Sequence, residues 1–263
     1  VKKTASFNLI ILLIVFQHSI SNKLLAQSSS IHIDQQLNGW FNPSLNIKLH
    51  KYIGFYVEGQ LRFSQFIKSQ QHQIRGTMDM FLTNNITISP IGYVYTWNYQ
   101  YGKQPLSIPE NFHCFFEQIN IKHNTGRVFL EQRARLEQRW QENKIEQTDG
   151  SYKVENYTYQ NRFRYRFMIN VPINKKMMSA GTVFLSAWDE VFVSFGKNIH
   201  YNLPDQNRIY GGLGYKFNKY GTVQLGYLNQ LIIKKEGTLA ESNHTLFLGF
   251  NYLIDFTKKK KFQ

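Results

Sequence analysis

The chemistry available to this sequence resides mainly in ten charged residues set at alternate positions. Glu131, Arg133, Arg135, Glu137 and Arg139 share one parity of the stretch Val128 to Trp140. Arg162, Arg164 and Arg166 share one parity of Arg162 to Val171, and Glu190 and Arg208 follow in two later stretches. A guanidinium is planar, permanently charged and forked, so it suits enclosed sites where carboxylates or phosphates are held by paired hydrogen bonds. Such a ladder can do one of two things. It can select small anions along a narrow path, or it can neutralise its own carboxylates as a salt-bridged filling. A hairpin through Pro172–Gly181 would bring Glu190 opposite Arg162 or Arg164, with Trp188 one step along. The Glu131–Arg139 stripe would lie beside the same arginines, giving one wall with a basic ladder dotted by carboxylates.

Other chemistries lack their residues. Cys114 is the single cysteine, which excludes an internal disulfide and a thiolate metal cluster. Its neighbours Phe112-His113 and Phe115-Phe116 form no nucleophile motif, so it reads as a small apolar strand residue. The eight histidines are scattered without metal-ligand spacing. His113 and Glu117 share a strand face, but no serine can be placed beside them. No phosphate loop, dinucleotide fingerprint or zinc-protease motif is present. The expectation is a protein without catalytic residues, cofactor or metal. The net charge of +14 and pI near 9.7 invite a polyanion partner. The arginines, however, are interleaved with Glu131, Glu137 and Glu190 in a chain that reads as exported, so nucleic acid is not expected.

The elements that must position these charges alternate with period two, the mark of strands with one apolar face. Phe55, Val57, Gly59, Leu61 and Phe63 oppose Tyr56, Glu58, Gln60 and Arg62. Val128, Leu130, Ala134, Leu136 and Trp140 oppose the first charged stripe, and Phe163, Tyr165, Phe167, Ile169 and Val171 oppose the second. Further strands are expected at Gln73–Leu82, Ile86–Tyr99, Phe112–Ile121, Val183–Phe195, Gln206–Phe217, Val223–Ile232 and His244–Phe256. In Ile86–Tyr99 the apolar parity switches near Pro90, which predicts a bulge. In Phe112–Ile121 neither face can be chosen.

Alternation alone does not say which face is inside. All ten arginines lie between Arg62 and Arg208, mostly within strands, whereas lysines such as Lys51, Lys103, Lys144, Lys175, Lys176 and Lys219 fall in turns, loops and strand ends. That segregation puts the charged face inside. Tyr93, Tyr95, Trp97, Tyr99 and Tyr101 cluster near a strand end, as at a membrane interface. The chain is 42 % hydrophobic and 16 % aromatic, yet its mean hydropathy is −0.40, which excludes a helical multispanning protein and a disordered one. An inverted barrel reconciles these figures, because apolar rings face lipid at every second position.

Residues 1–26 read as a signal peptide: Lys2 and Lys3, an apolar block Phe7 to Phe16, and a small residue at Ala26. Their removal lowers the charge by three, through Lys2, Lys3 and Lys23. Residues 27–263 then form one domain. Short turns are expected at His50-Lys51, Asn84-Asn85, His123–Gly126 and Asn218–Gly221, with Pro172–Gly181 somewhat longer. They alternate with longer connections at Ser64–Gln71, Gly102–Asn111, Gln141–Glu155, Gly196–Asp205 and Lys234–Ser242, the pattern of periplasmic turns and extracellular loops. Counting from Trp40–Leu49 gives eleven strands, and a further one around Ile31–Leu37 would make the number even. The expected fold is a single transmembrane antiparallel up-and-down barrel of about 12 strands, with 10 or 14 as alternatives.

The C-terminal strand, Gly249 to Phe256, resembles the signal read by the barrel-assembly machinery, although Lys258–Lys261 follows it. Five strings occur in a familiar order: Leu136–Arg139, Arg162–Arg166, Trp188–Phe192, Gln206–Tyr215 and Leu225–Gln230. From about Trp40 to Phe256 they resemble the uncharacterised family catalogued as domain of unknown function 2490, found in Bacteroidetes-type and other Gram-negative bacteria. The resemblance implies an outer-membrane β-barrel without assigned activity and supplies no catalytic residues. The expected partners are outer-membrane lipid, the barrel-assembly machinery and small anionic solutes. The function expected is a narrow channel for those solutes; the alternatives are a sealed structural or adhesive barrel and a lipid-modifying enzyme.

Overall fold

The computed structural model describes residues 31–101, 108–199, 205–234 and 237–257; the signal peptide read at 1–26 and the tail lysines at 258–261 lie outside them. Eleven strands form a closed barrel: β1 (His32–Lys48), β2 (Ile53–Ser64), β3 (Lys68–Phe81), β4 (Ile86–Asn98), β5 (Phe112–Thr125), β6 (Val128–Glu146), β7 (Tyr152–Pro172), β8 (Thr182–Phe195), β9 (Gln206–Lys216), β10 (Gly221–Ile233) and β11 (Leu239–Asp255). Sequence neighbours pair antiparallel, and β1 pairs parallel with β11 from His32↔Leu239 to Lys48↔Asp255. The parallel seam follows from the count. In an up-and-down sheet with an odd number of strands the first and last run the same way, so closure must join them in parallel.

The count is one below the expected twelve, because the two segments Ile31–Leu37 and Trp40–Leu49 are one strand. Asn38-Gly39, which lies between those two segments, runs straight through β1. Gly39 faces outward, and the Phe66 ring from the β2–β3 turn lies over it, 3.0 Å from where a Cβ would sit. An aromatic ring thereby covers an otherwise bare backbone. Gln65 and Phe66 both have positive φ, 53° and 66°, the handedness of a tight hairpin turn.

Two expected loops shrink for a related reason. Ser64–Gln71 contains only a three-residue connection, and Gln141–Glu155 is mostly strand. β6 and β7 continue past Gln141 and Asn161, where β5 and β8 stop pairing with them, so a two-stranded ribbon stands beyond the rim. The expected bulge near Pro90 is present: the β4–β5 register shifts between Ser89 and Gly92.

The barrel is inverted relative to a soluble protein. Ile91 is 61 % exposed and Leu225 52 %, and outward apolar side chains such as Ile74, Phe163, Leu185, Ile209 and Leu246 accompany them around the wall. Inward positions carry Glu58, Gln60, Arg62, Gln73 and Arg75 as well as the predicted charges. Inward aromatics need space between strands, and glycines on the neighbouring strand supply it. A Cβ at Gly92 would collide with the Phe116 ring, and one at Gly214 with the Phe184 ring.

Candidate functional site

All ten predicted charged residues lie on inward-facing positions of β6, β7, β8 and β9. Seven of them meet in one network around Glu137 and Glu190, Glu131 and Arg166 pair beside it, and Arg139 joins neither. Glu137 accepts from Arg162 Nε at 2.8 Å and from Arg164 Nη1 at 2.6 Å, with Arg162 Nη2 at 2.7 Å and Arg135 Nη1 at 3.6 Å as ion-pair contacts. Glu190 accepts from Arg164 Nη2 at 2.8 Å and from Arg133, with Arg208 Nη1 at 3.8 Å from its second oxygen. Arg166 donates to Glu131 at 2.8 Å. Two carboxylates thus gather five guanidiniums between them, a network in which low dielectric strengthens every bond and makes every missing one costly.

The register corrects one expectation. Glu190 stands opposite Arg166, not Arg162 or Arg164. It reaches Arg164 diagonally, because an arginine spans the distance to the next inward position on its neighbour. Arg133 stands opposite Arg166 and Arg135 opposite Arg164 across β6–β7. Like charges therefore face one another at these two positions, while Arg162 stands directly opposite Glu137 and Arg208 opposite Glu190; Arg164 and Arg166 reach their carboxylates on the diagonal.

Inward residues outside the predicted set complete the layer. Arg75 pairs with Glu58 at 2.8 Å, and Asp205 lies 3.5 Å from Arg162 and accepts from Ser194 at 3.0 Å. Glu58 and Arg62 already share the polar parity of the Phe55–Phe63 stretch, so the signal for them was present. The aromatic part had no such signal. The Phe192 ring carries three guanidiniums, Arg164 at 4.4 Å, Arg208 at 4.6 Å and Arg162 at 5.1 Å from its centroid. Trp40 carries Arg62 at 4.0 Å, Phe116 carries Arg135 at 4.0 Å and Phe112 carries Arg139 at 4.4 Å. Ring faces attract cations, and they also fill space that water would otherwise occupy. This resolves the undecided faces of Phe112–Ile121: Phe112, Cys114 and Phe116 point inward as ring platforms and packing, while Phe115 and Ile121 point outward.

The result is a filled cross-section. Glu137 is 0 % exposed, Glu190 2 % and Arg164 4 %, and every one of the eleven strands contributes at least one buried inward side chain. A cavity of about 300 Å³ lies on the loop side of this layer, reaching from Arg62 and Arg162 to Tyr99 and Tyr101. Another, of about 200 Å³, lies on the turn side, among Tyr56, Glu58, Arg166 and Gln224. Outside the lumen, His113 lies on the outer wall with its Nδ1 2.7 Å from the Tyr93 hydroxyl, and Glu117 accepts from Gln138 at 3.1 Å on the same wall. Among the described residues no cluster of metal-ligating side chains occurs.

A family model described as a protein of unknown function (DUF2490) matches residues 37–241. No curated protein matches the chain. Among solved structures, the siderophore receptor PirA from Pseudomonas aeruginosa aligns at 10 % identity and a TM-score of 0.30, over 71 % of this chain and 32 % of that one. The chain spans about a third of that receptor, and so remote a likeness does not bear on function.

Proposed function

We propose that this chain, which belongs to the DUF2490 family, spans a Gram-negative outer membrane as a barrel whose lumen is sealed at mid-height by its own arginine–carboxylate–aromatic layer. The band of exposed apolar side chains on the outer wall supports the membrane setting. Soluble proteins do not present such a surface to water, whereas outer-membrane barrels present it to lipid. Strands of 11 to 21 residues meet or exceed the roughly 9–11 that a tilted strand needs to cross the hydrocarbon.

One observation carries the sealed reading: a water-filled pore leaves its lining accessible, and here the Glu137, Glu190 and Arg164 side chains that would line it are buried. On this reading the barrel acts by what it presents at its two rims and on its wall, without catalysis. The narrow anion path is the second reading, favoured by nine inward arginines, and it requires the layer to move. Recordings from the purified, refolded protein in planar bilayers decide between them. Absence of stable single-channel steps is expected; steady anion-selective steps at low voltage would overturn the sealed barrel.

A further inference from the structure

The inward arginines outnumber the carboxylates that pair with them. Among the described residues nine arginines face inward, and five carboxylates lie within 4 Å of them: Glu58, Glu131, Glu137, Glu190 and Asp205. Seven arginines share those five groups. Arg62 and Arg139 have no carboxylate within that distance. Arg62 is buried, donates only to the amide oxygens of Gln60, Gln71 and Gln73, and leaves its Nε without an acceptor. Arg139 rests on Phe112, and its Nε likewise is buried without an acceptor. Both line the cavity on the loop side, and neither lines the one on the turn side.

We propose that this cavity is a binding site for a small, multiply charged oxyanion, a phosphate or a polycarboxylate, held between Arg62 and Arg139. Guanidiniums kept from water without counter-charge are costly, and a forked oxyanion satisfies their donors in pairs. The volume of about 300 Å³ suits a small solute. Gln71, Gln73 and Gln141 around it carry amide N–H donors for the ligand's remaining oxygens, and Gln141 would turn to the ligand from Glu110, the carboxylate on the cavity wall to which it now donates. Binding here deepens the sealed-lumen reading: with a closed floor, the cup is an end point for the anion and not a stage in its passage.

Titration calorimetry on the refolded protein in zwitterionic detergent tests this, with inorganic phosphate and citrate as probes against sodium chloride at matched ionic strength. Saturable heat with at least one probe, and none with chloride, is expected. Arg139→Gln should weaken binding tenfold or more. Arg166→Gln should leave it unchanged, because Arg166 lies outside the cup and pairs with Glu131. Should Arg139→Gln fail to fold, Arg139→Lys keeps the charge, loses the fork and should weaken binding severalfold. No saturable heat from the wild-type protein, or an equal loss from Arg166→Gln, would overturn the site. Channel steps in bilayers would remove the sealed lumen while leaving phosphate or citrate binding to stand, so the two failures are distinct.

Discussion

Replacing Glu137 by Gln tests whether the charged layer holds the barrel together. The amide keeps the shape and one acceptor oxygen, but it removes the negative charge and presents two donors to guanidiniums that are themselves donors. Glu137 accepts two charge-assisted bonds, at 2.8 Å from Arg162 and 2.6 Å from Arg164, and ion-pairs with Arg162 Nη2 at 2.7 Å and Arg135 at 3.6 Å. Breaking a buried pair from one side costs about 3–5 kcal/mol, because the partner's charge stays buried without compensation. Three arginines share this carboxylate, so the middle of that range, about 4 kcal/mol, is expected. With a urea dependence of about 3 kcal/mol per molar, the upper end for small proteins, the unfolding midpoint should fall by about 1.3 M. The assay is urea unfolding of the refolded protein, read by tryptophan fluorescence and by heat-modifiable migration on gels. Glu146→Gln, on the exposed ribbon beyond the rim, is the control and should move stability by less than about 0.5 kcal/mol. Arg164→Gln should cost less on the Glu137→Gln background than alone, because the two share a bond. A midpoint for Glu137→Gln within about 0.3 M of the parent, roughly 1 kcal/mol at this slope, would refute the reasoning.

Two further outcomes follow from the same geometry. Cys114 faces inward at 1 % exposure, so a maleimide should leave it unmodified in the folded barrel and label it fully in urea; rapid labelling of the folded protein would mean a water-filled lumen. Leu225→Arg, on the exposed outer face of β10, should cost about 2–4 kcal/mol for protein refolded into vesicles if it sits near the bilayer midplane, as Arg does on lipid-facing barrel positions. A urea midpoint unchanged in vesicles would place that face outside the hydrocarbon.

Much of this barrel is legible in the sequence because period two survives inversion. The parity of Phe55 to Phe63 identifies one outward and one inward face, and the segregation of arginine from lysine says which is which. The slip at Pro90 appears as a parity change because a bulge moves every later side chain to the other face. What failed to show has a common physical cause. Polar composition signals loops in soluble proteins, but an inverted strand is polar on its buried face, so Gln141–Glu155 reads as a connection while it continues as paired strand. Contacts that cross between strands leave no periodic trace. Phe192 gathers three guanidiniums from two neighbouring strands, and its own surroundings in sequence, Val191 and Val193, carry no hint of them. The offset of Glu190 is of the same kind, since it depends on where the nine residues between β7 and β8 close.

The parallel seam is where the odd strand count has an energetic consequence. Parallel pairing is slightly weaker per residue than antiparallel pairing, and strand alternation is blind to direction, so period two alone does not mark the seam. Length offsets the weakness: β1 and β11 keep one register over seventeen pairs, without a bulge. Side chains then bridge the joint from both faces. Inside, Asn38 Nδ2 donates to Asn243 Oδ1 at 2.7 Å, both fully buried, and Asn251 Nδ2 donates to Ser44 Oγ at 2.8 Å. Outside, His244 Nε2 lies 2.6 Å from Gln35 Oε1. A slip by one residue would turn Asn38 and Asn243 outward toward the apolar wall and bring Leu37 and Leu246 into the filled lumen. Each strand therefore carries its own penalty for misregister, and that local agreement lets two ends of the chain, more than two hundred residues apart, close the barrel in a single way.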